Sequence, residues 1–152
     1  EYAEKNQVAA VTEEKEIKKL RRNMMKTAED IKEAFDGISA GIGKVTLGNE
    51  SLSLSAFSEK IITETDMHMA TAPLRKSITG WLRQSGLLTQ ENESRAADMG
   101  EKIGIYNLNV TSPQTGKQYI KVLYKPSAQQ FILDNISAVG KFAVESFMSK
   151  SK

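Results

Sequence analysis

The sequence predicts an α+β domain, a helix–helix–hairpin–helix module preceded by a long amphipathic helix. Three observations carry that prediction. Apolar residues recur at helical spacing in three stretches: Ile17, Leu20, Met24, Ile31 and Phe35; Leu54, Phe57, Ile61 and Ile62; Leu74, Ile78, Trp81 and Leu82. Two later runs, 106–110 and 119–124, alternate apolar with polar residues, and turn formers join them over 111–117. A last helical pattern follows Pro126.

Residues 1–13 are polar and Ala-rich, and are expected to fray. The first helix is expected over 14–35, with Ala28 filling the gap in its apolar stripe. Gly37, Gly41, Gly43 and Gly48 should end it and loosen the chain. The organisation expected is therefore an N-terminal amphipathic helix over 1–36, a Gly-rich linker over 37–50 and a second unit over 51–148. Ile17, Leu20, Met24 and Ile31 have heptad spacing, so the first helix either packs on its own domain or forms the seam of a homodimer.

In the second unit Ser53 or Ser55 should cap a helix that carries Leu54, Phe57, Ile61 and Ile62. After a connection over 63–71, Pro73 suits the first turn of a helix over 73–85, and Gly86 stops it. Trp81, by its bulk and spacing, is expected to be largely buried, with Tyr124 or Phe131 nearby. A polar loop with Glu91, Asn92, Glu93 and Ser94 leads to the hairpin. There Ile120, Val122 and Tyr124 share one face and Lys121 opposes them. Pro126 and Ser127 should start a single last helix, with Phe131, Ile132, Ile136, Val139, Phe142 and Phe147 as its buried candidates.

Of the 152 residues, 39% are hydrophobic and 26% charged, the composition of a globular chain. No apolar run approaches the roughly 20 residues of a membrane-spanning helix, so no membrane partner is expected. Glu1-Tyr2-Ala3-Glu4-Lys5 lacks the basic-then-apolar order of a signal peptide. The missing initiator Met and the polar Met148-Ser149-Lys150-Ser151-Lys152 end suggest the C-terminal part of a longer chain. Cysteine is absent, which excludes disulfides, thiol catalysis and thiolate zinc sites. A cytoplasmic location, in a bacterium or an infected host cell, is expected.

The search for catalytic chemistry is negative. His68 is the only histidine, so no histidine pair can hold a metal, and Asp66-Met67-His68-Met69 is remote from any G-x-S-x-G elbow. Gly37-Ile38-Ser39-Ala40-Gly41-Ile42-Gly43-Lys44 fails as a phosphate loop. Val45 follows the lysine where a hydroxyl is needed, and Ile38 stands where the first glycine should be. No catalytic, cofactor or metal residue is expected, and the chain reads as a binder.

The positive signal is the distribution of charge. Residues 67–90 contain no Asp or Glu but carry Arg75, Lys76 and Arg83, and residues 102–133 again lack acids while carrying Lys102, Lys117, Lys121 and Lys125. Arg75, Lys76, Thr79 and Arg83 fall largely off the apolar face of their helix, and Lys117 sits at the hairpin tip. Two helices followed by a basic hairpin is the order of a winged helix. Its second helix enters a major groove while the hairpin touches flanking backbone. Duplex DNA is thus the expected partner, through Arg75, Lys76, Thr79, Arg83, Lys117, Lys121 and Lys125. The alternative is a protein-interaction module, exposing an apolar patch from Met67, Met69 or the 142–148 end.

The stretch from Leu74 to Leu88, with Trp81-Leu82-Arg83-Gln84-Ser85-Gly86-Leu87-Leu88 at its end, resembles the WLRxxGxL signature of phage antirepressor C-terminal domains of the KilA-C type. In that family a hairpin follows, and its second strand runs into a Lys-Pro or Thr-Pro turn and a helix. This chain has Gly116-Lys117-Gln118-Tyr119, then Tyr124-Lys125-Pro126-Ser127-Ala128-Gln129-Gln130-Phe131-Ile132. The likeness spans roughly 52–136 and departs at Ala128, where the family prefers Gly, and in the extra segment 89–103. It implies a phage-type regulatory protein that contacts DNA or sequesters a repressor or host factor.

Overall fold

The computed structural model describes residues 27–67, 69–91 and 94–150. Helix α1 is Ala28–Gly41. Its N-cap, Thr27, is extended at φ −123° and ψ 157°, and its hydroxyl accepts the Asp30 N–H at 3.1 Å. An extended residue cannot lie inside a helix, so the continuous helix expected over 14–35 is corrected. It starts at Ala28, and 14–26 lie outside the described residues.

The other end of α1 is corrected as well. The helix runs through Gly37 to Gly41, where a linker was expected, and Ile38 is fully buried. These glycines serve close approach. A Cβ on Gly37 would lie 2.8 Å from Met67 Sδ, and one on Gly41 would lie 3.0 Å from Thr65 Cβ. Ile31 is only 6% exposed, within the chain's own core, so it is not free for a seam between chains. Ile17, Leu20 and Met24 lie outside the described residues.

A 3₁₀ turn, Ile42–Lys44, precedes Leu52, which pairs antiparallel with Tyr124 through Leu52 N–H to Tyr124 O and Tyr124 N–H to Leu52 O. Helix α2 is Leu54–Glu64, capped by Ser53, whose Oγ accepts the Ala56 N–H at 3.2 Å. Near its end the Glu64 carboxylate meets Lys60 Nζ at 2.8 Å and accepts the Thr46 N–H at 2.9 Å. Both contacts favour the charged form and hold the Glu64 carboxyl below its ordinary value, the Lys60 contact most.

Helix α3, Thr71–Gln84, has Pro73 in its first turn, where no intrahelical N–H is needed. Gly86, at φ 80°, turns the chain away afterwards. Leu88 then pairs with Ala96, and a short helix α4, Asp98–Ile103, ends at left-handed Gly104 (φ 110°). Neither the Leu88–Ala96 pairing nor α4 was expected beside the polar loop at 91–94. Gly100 lets α4 lie against the Leu87 carbonyl, a contact with no local sequence signal.

Strands β1, Ile105–Thr111, and β2, Gln118–Tyr124, form an antiparallel hairpin in the register Ile105↔Tyr124 to Thr111↔Gln118. The single last helix is corrected to two: α5, Pro126–Asp134, and α6, Ile136–Lys150. Asn135 breaks them at φ −113° and ψ 19°, with its side-chain amide donating to the Phe131 carbonyl at 2.8 Å. The described residues thus form a mixed α+β fold of six helices and a two-stranded sheet.

The core is made by fully buried Ile38 of α1, Phe57 and Ile61 of α2, Leu74, Ile78 and Leu82 of α3, Ile105 of β1, Ile132 of α5 and Val139 of α6. Trp81 is partly buried and packs against the edge of the core, its ring 5.9 Å from that of Phe131, the neighbour expected. Tyr124, by contrast, is 2% exposed, and burial pushes its hydroxyl pKa up. Among the described residues no helix is long and apolar enough to cross a membrane.

Candidate nucleic-acid interface

Helix α3 is buried along two of its flanks, and this decides which residues remain outside. At about 100° per residue, Leu74, Ile78 and Leu82 form one stripe, each fully buried. Gly80 lies on a second flank against α6, where a Cβ would come within 2.7 Å of Phe142 Cζ. The arc left over carries Arg75, Lys76, Thr79 and Arg83. The structure therefore brings these four predicted residues together on one face, Lys76 exposed and the other three partly so.

Two of the cations are held by neighbours. Arg75 Nη1 donates to Ser55 Oγ at 3.3 Å, reaching the first turn of α2. Arg83 Nη2 donates to the Gln90 carbonyl at 2.7 Å, and the Gln90 side-chain amide donates back to the Arg83 carbonyl. Arg83 Nε is buried and makes no hydrogen bond. This clamp fixes the end of α3 against the segment that follows it.

The other three predicted cations lie on the hairpin. Side chains alternate along a strand, so Lys117, Lys121 and Lys125 fall on the same side, and all three are exposed. Lys125 Nζ stands 5.6 Å from the centroid of the Tyr106 ring, an attraction between cation and ring face. The Leu52–Tyr124 pairing ties the base of the hairpin to the residues that open α2, and Arg75 bonds Ser55 in the next turn. Arg75 of α3 and the base of the hairpin thus both attach to residues 52–55.

Among the described residues none of these six cations takes part in a salt bridge, whereas Lys44 pairs with Asp66 and Lys60 with Glu64. The positive charge of the six is therefore not neutralised by ion pairs with carboxylates.

The sequence reading missed the apolar members of the hairpin face. Tyr106, Leu108, Val110, Tyr119 and Leu123 share it with the lysines and lie outside the core, with Leu108 43% and Tyr119 51% exposed. Their signal was the shared parity of 117, 119, 121, 123 and 125. The apolar patch expected for a protein partner is mostly spent on the core: Met67, Met69 and Phe147 pack against it, while Met148 is exposed. His68 lies outside the described residues. Among the described residues no group of three or more His, Cys, Asp or Glu side chains is placed to hold a metal ion. A groove of about 330 Å³ between α1 and α6 is lined by Phe35, Gly140 and Val144, with Lys32, Asp36 and Glu145 of both signs at its rim. Comparison with protein families, with curated proteins and with solved structures found no match.

Proposed function

We propose that this chain is a nucleic-acid-binding module that presents α3 to duplex DNA and its hairpin to the flanking backbone, in the manner of a winged helix. The observation that carries this reading is the set of six cations without carboxylate partners, gathered on α3 and on one face of the hairpin. Unneutralised cations repel one another, and a polyanion relieves that repulsion while releasing its own counterions. The order α1, Leu52, α2, α3, hairpin, with the short α4 inserted before the hairpin, also supports it, and Leu52 acts as a minimal third strand beside Tyr124. The resemblance to phage antirepressor C-terminal domains extends the proposal to a phage-type regulator.

The test is a duplex-binding titration at several salt concentrations. About four or five phosphate contacts give a log–log salt slope near −4, each contributing roughly −0.9. Lys117→Ala or Lys121→Ala should weaken binding to all sequences alike and reduce the slope by about one unit. Lys76→Ala or Arg83→Ala should instead flatten the preference between sites, by about 1–3 kcal/mol per lost bidentate contact. Absence of duplex binding at low salt overturns the reading and favours the protein-partner alternative.

A further inference from the structure

The outer face of the hairpin is more than a row of lysines. Along β2 and the residues flanking it, Lys117, Tyr119, Lys121, Leu123 and Lys125 alternate cation and apolar group on one side. The register sets Val110 opposite Tyr119, Leu108 opposite Lys121 and Tyr106 opposite Leu123. Successive lysines stand about 13 Å apart, at roughly 3.3 Å per residue. None of the five apolar members belongs to the core, although the opposite face of the same hairpin buries Ile105 and Tyr124 completely or nearly so. Large apolar side chains left in water between cations call for a partner that is itself alternately apolar and anionic.

From this alternation we infer that the outer face of the hairpin binds a single-stranded segment of nucleic acid, with unpaired bases on Tyr119, Leu108 and Val110 and phosphates at Lys117, Lys121 and Lys125. Charge complementarity selects the occupant. Residues 102–133 contain no acid, so a second copy would set lysine against lysine. A duplex supplies the anions but keeps its base faces stacked inside, leaving Tyr119 and Leu108 against phosphate. A single strand offers both phosphates and free base faces, and aromatic stacking tolerates any sequence. Lys125 already covers the Tyr106 ring, so Tyr119 is the open platform. This rests on the nucleic-acid reading above and deepens it, because the same hairpin lysines meet phosphate but the strand they hold is unpaired.

The experiment is fluorescence anisotropy at low salt with a labelled oligothymidylate and with a duplex of equal length. Wild type, Tyr119→Ala, Tyr119→Phe and Leu108→Ser are compared, with melting curves to show that each variant is folded. Wild type should bind the single strand, and Tyr119→Ala should weaken it about tenfold or more, the loss expected of a stacking platform. Leu108→Ser should weaken it less, and Tyr119→Phe should leave it within about twofold, because the ring persists. All three variants should bind duplex like wild type. Duplex binding without single-strand binding overturns this inference and leaves the duplex reading standing; binding of neither overturns both. Single-strand affinity unchanged in Tyr119→Ala also overturns it. So does a dimer, seen by sedimentation, that Tyr119→Ala dissociates, since a second copy would then cover the face.

Discussion

Substituting Gly140 by Ala tests a close contact between α1 and α6. Gly140 lies in α6 opposite Phe35 of α1, and a Cβ there would meet Phe35 Cβ, Cγ and Cδ1 at 2.8, 2.9 and 3.2 Å. Carbon atoms in contact sit at about 3.5–4.0 Å, so the two helices would have to part by roughly 0.7 Å or more. Phe35 cannot swing aside, because the atoms struck are those nearest its backbone and the residue is only 3% exposed. Overpacking of this kind costs about 1–3 kcal/mol. Replacing glycine by alanine inside a helix returns about 1 kcal/mol of propensity. The expected net loss is about 1 kcal/mol, or a melting temperature lower by roughly 3–6 °C. Gly43→Ala is the control. A Cβ there meets nothing within 4 Å, so the variant should be neutral or more stable by up to about 1 kcal/mol. Urea unfolding followed by circular dichroism measures both. A Gly140→Ala protein stabilised as much as Gly43→Ala would refute the close packing of α1 on α6.

Trp81→Ala should cost about 3 kcal/mol, the low end of the range for a buried Trp, because the ring packs against the core and Phe131 but is not fully enclosed; a variant that melts within a degree or two of wild type would refute this. Glu64 carries the pH dependence. Its carboxyl is held below the ordinary value, so its contribution is present at neutral pH and lost as pH falls through and below the carboxylate range. Glu64→Gln should therefore lose about 0.3–0.5 kcal/mol at pH 7 and match wild type near pH 3, and equal losses at both pH values would exclude the ion pair as the cause. Gln90→Ala removes one half of the Arg83 clamp. The Arg83 guanidinium keeps its charge and its bond to the Gln90 carbonyl, so the variant should leave the salt slope unchanged and loosen only the segment that holds Arg83. Its change of site preference in the duplex titration should be smaller than that of Arg83→Ala; a change as large would show that the Gln90 side chain itself orients Arg83.

Local chemistry was legible wherever neighbours in sequence sufficed. The stripes Leu54–Phe57–Ile61 and Leu74–Ile78–Leu82, the Ser53 cap, the left-handed Gly86 and the hairpin all follow from residues within a few positions of one another. So does the grouping of Arg75, Lys76, Thr79 and Arg83, since a buried stripe at helical spacing leaves a defined arc for the rest. The glycines were legible as residues but not as contacts. Gly37 and Gly41 read as breakers, yet both lie in a helix, and glycine is needed there because Met67 and Thr65, distant in sequence, occupy the space a side chain would need. Ile31 read as a seam for a second chain, and tertiary packing turned it into the chain's own core. The break at Asn135 and the helix α4 rest on similarly specific contacts. Periodicity tells which side chains share a face, because it is a property of the backbone repeat. Which face is covered depends on surfaces brought together from remote parts of the chain, and for the hairpin only the folded structure left Tyr119 and Leu108 in water between three lysines.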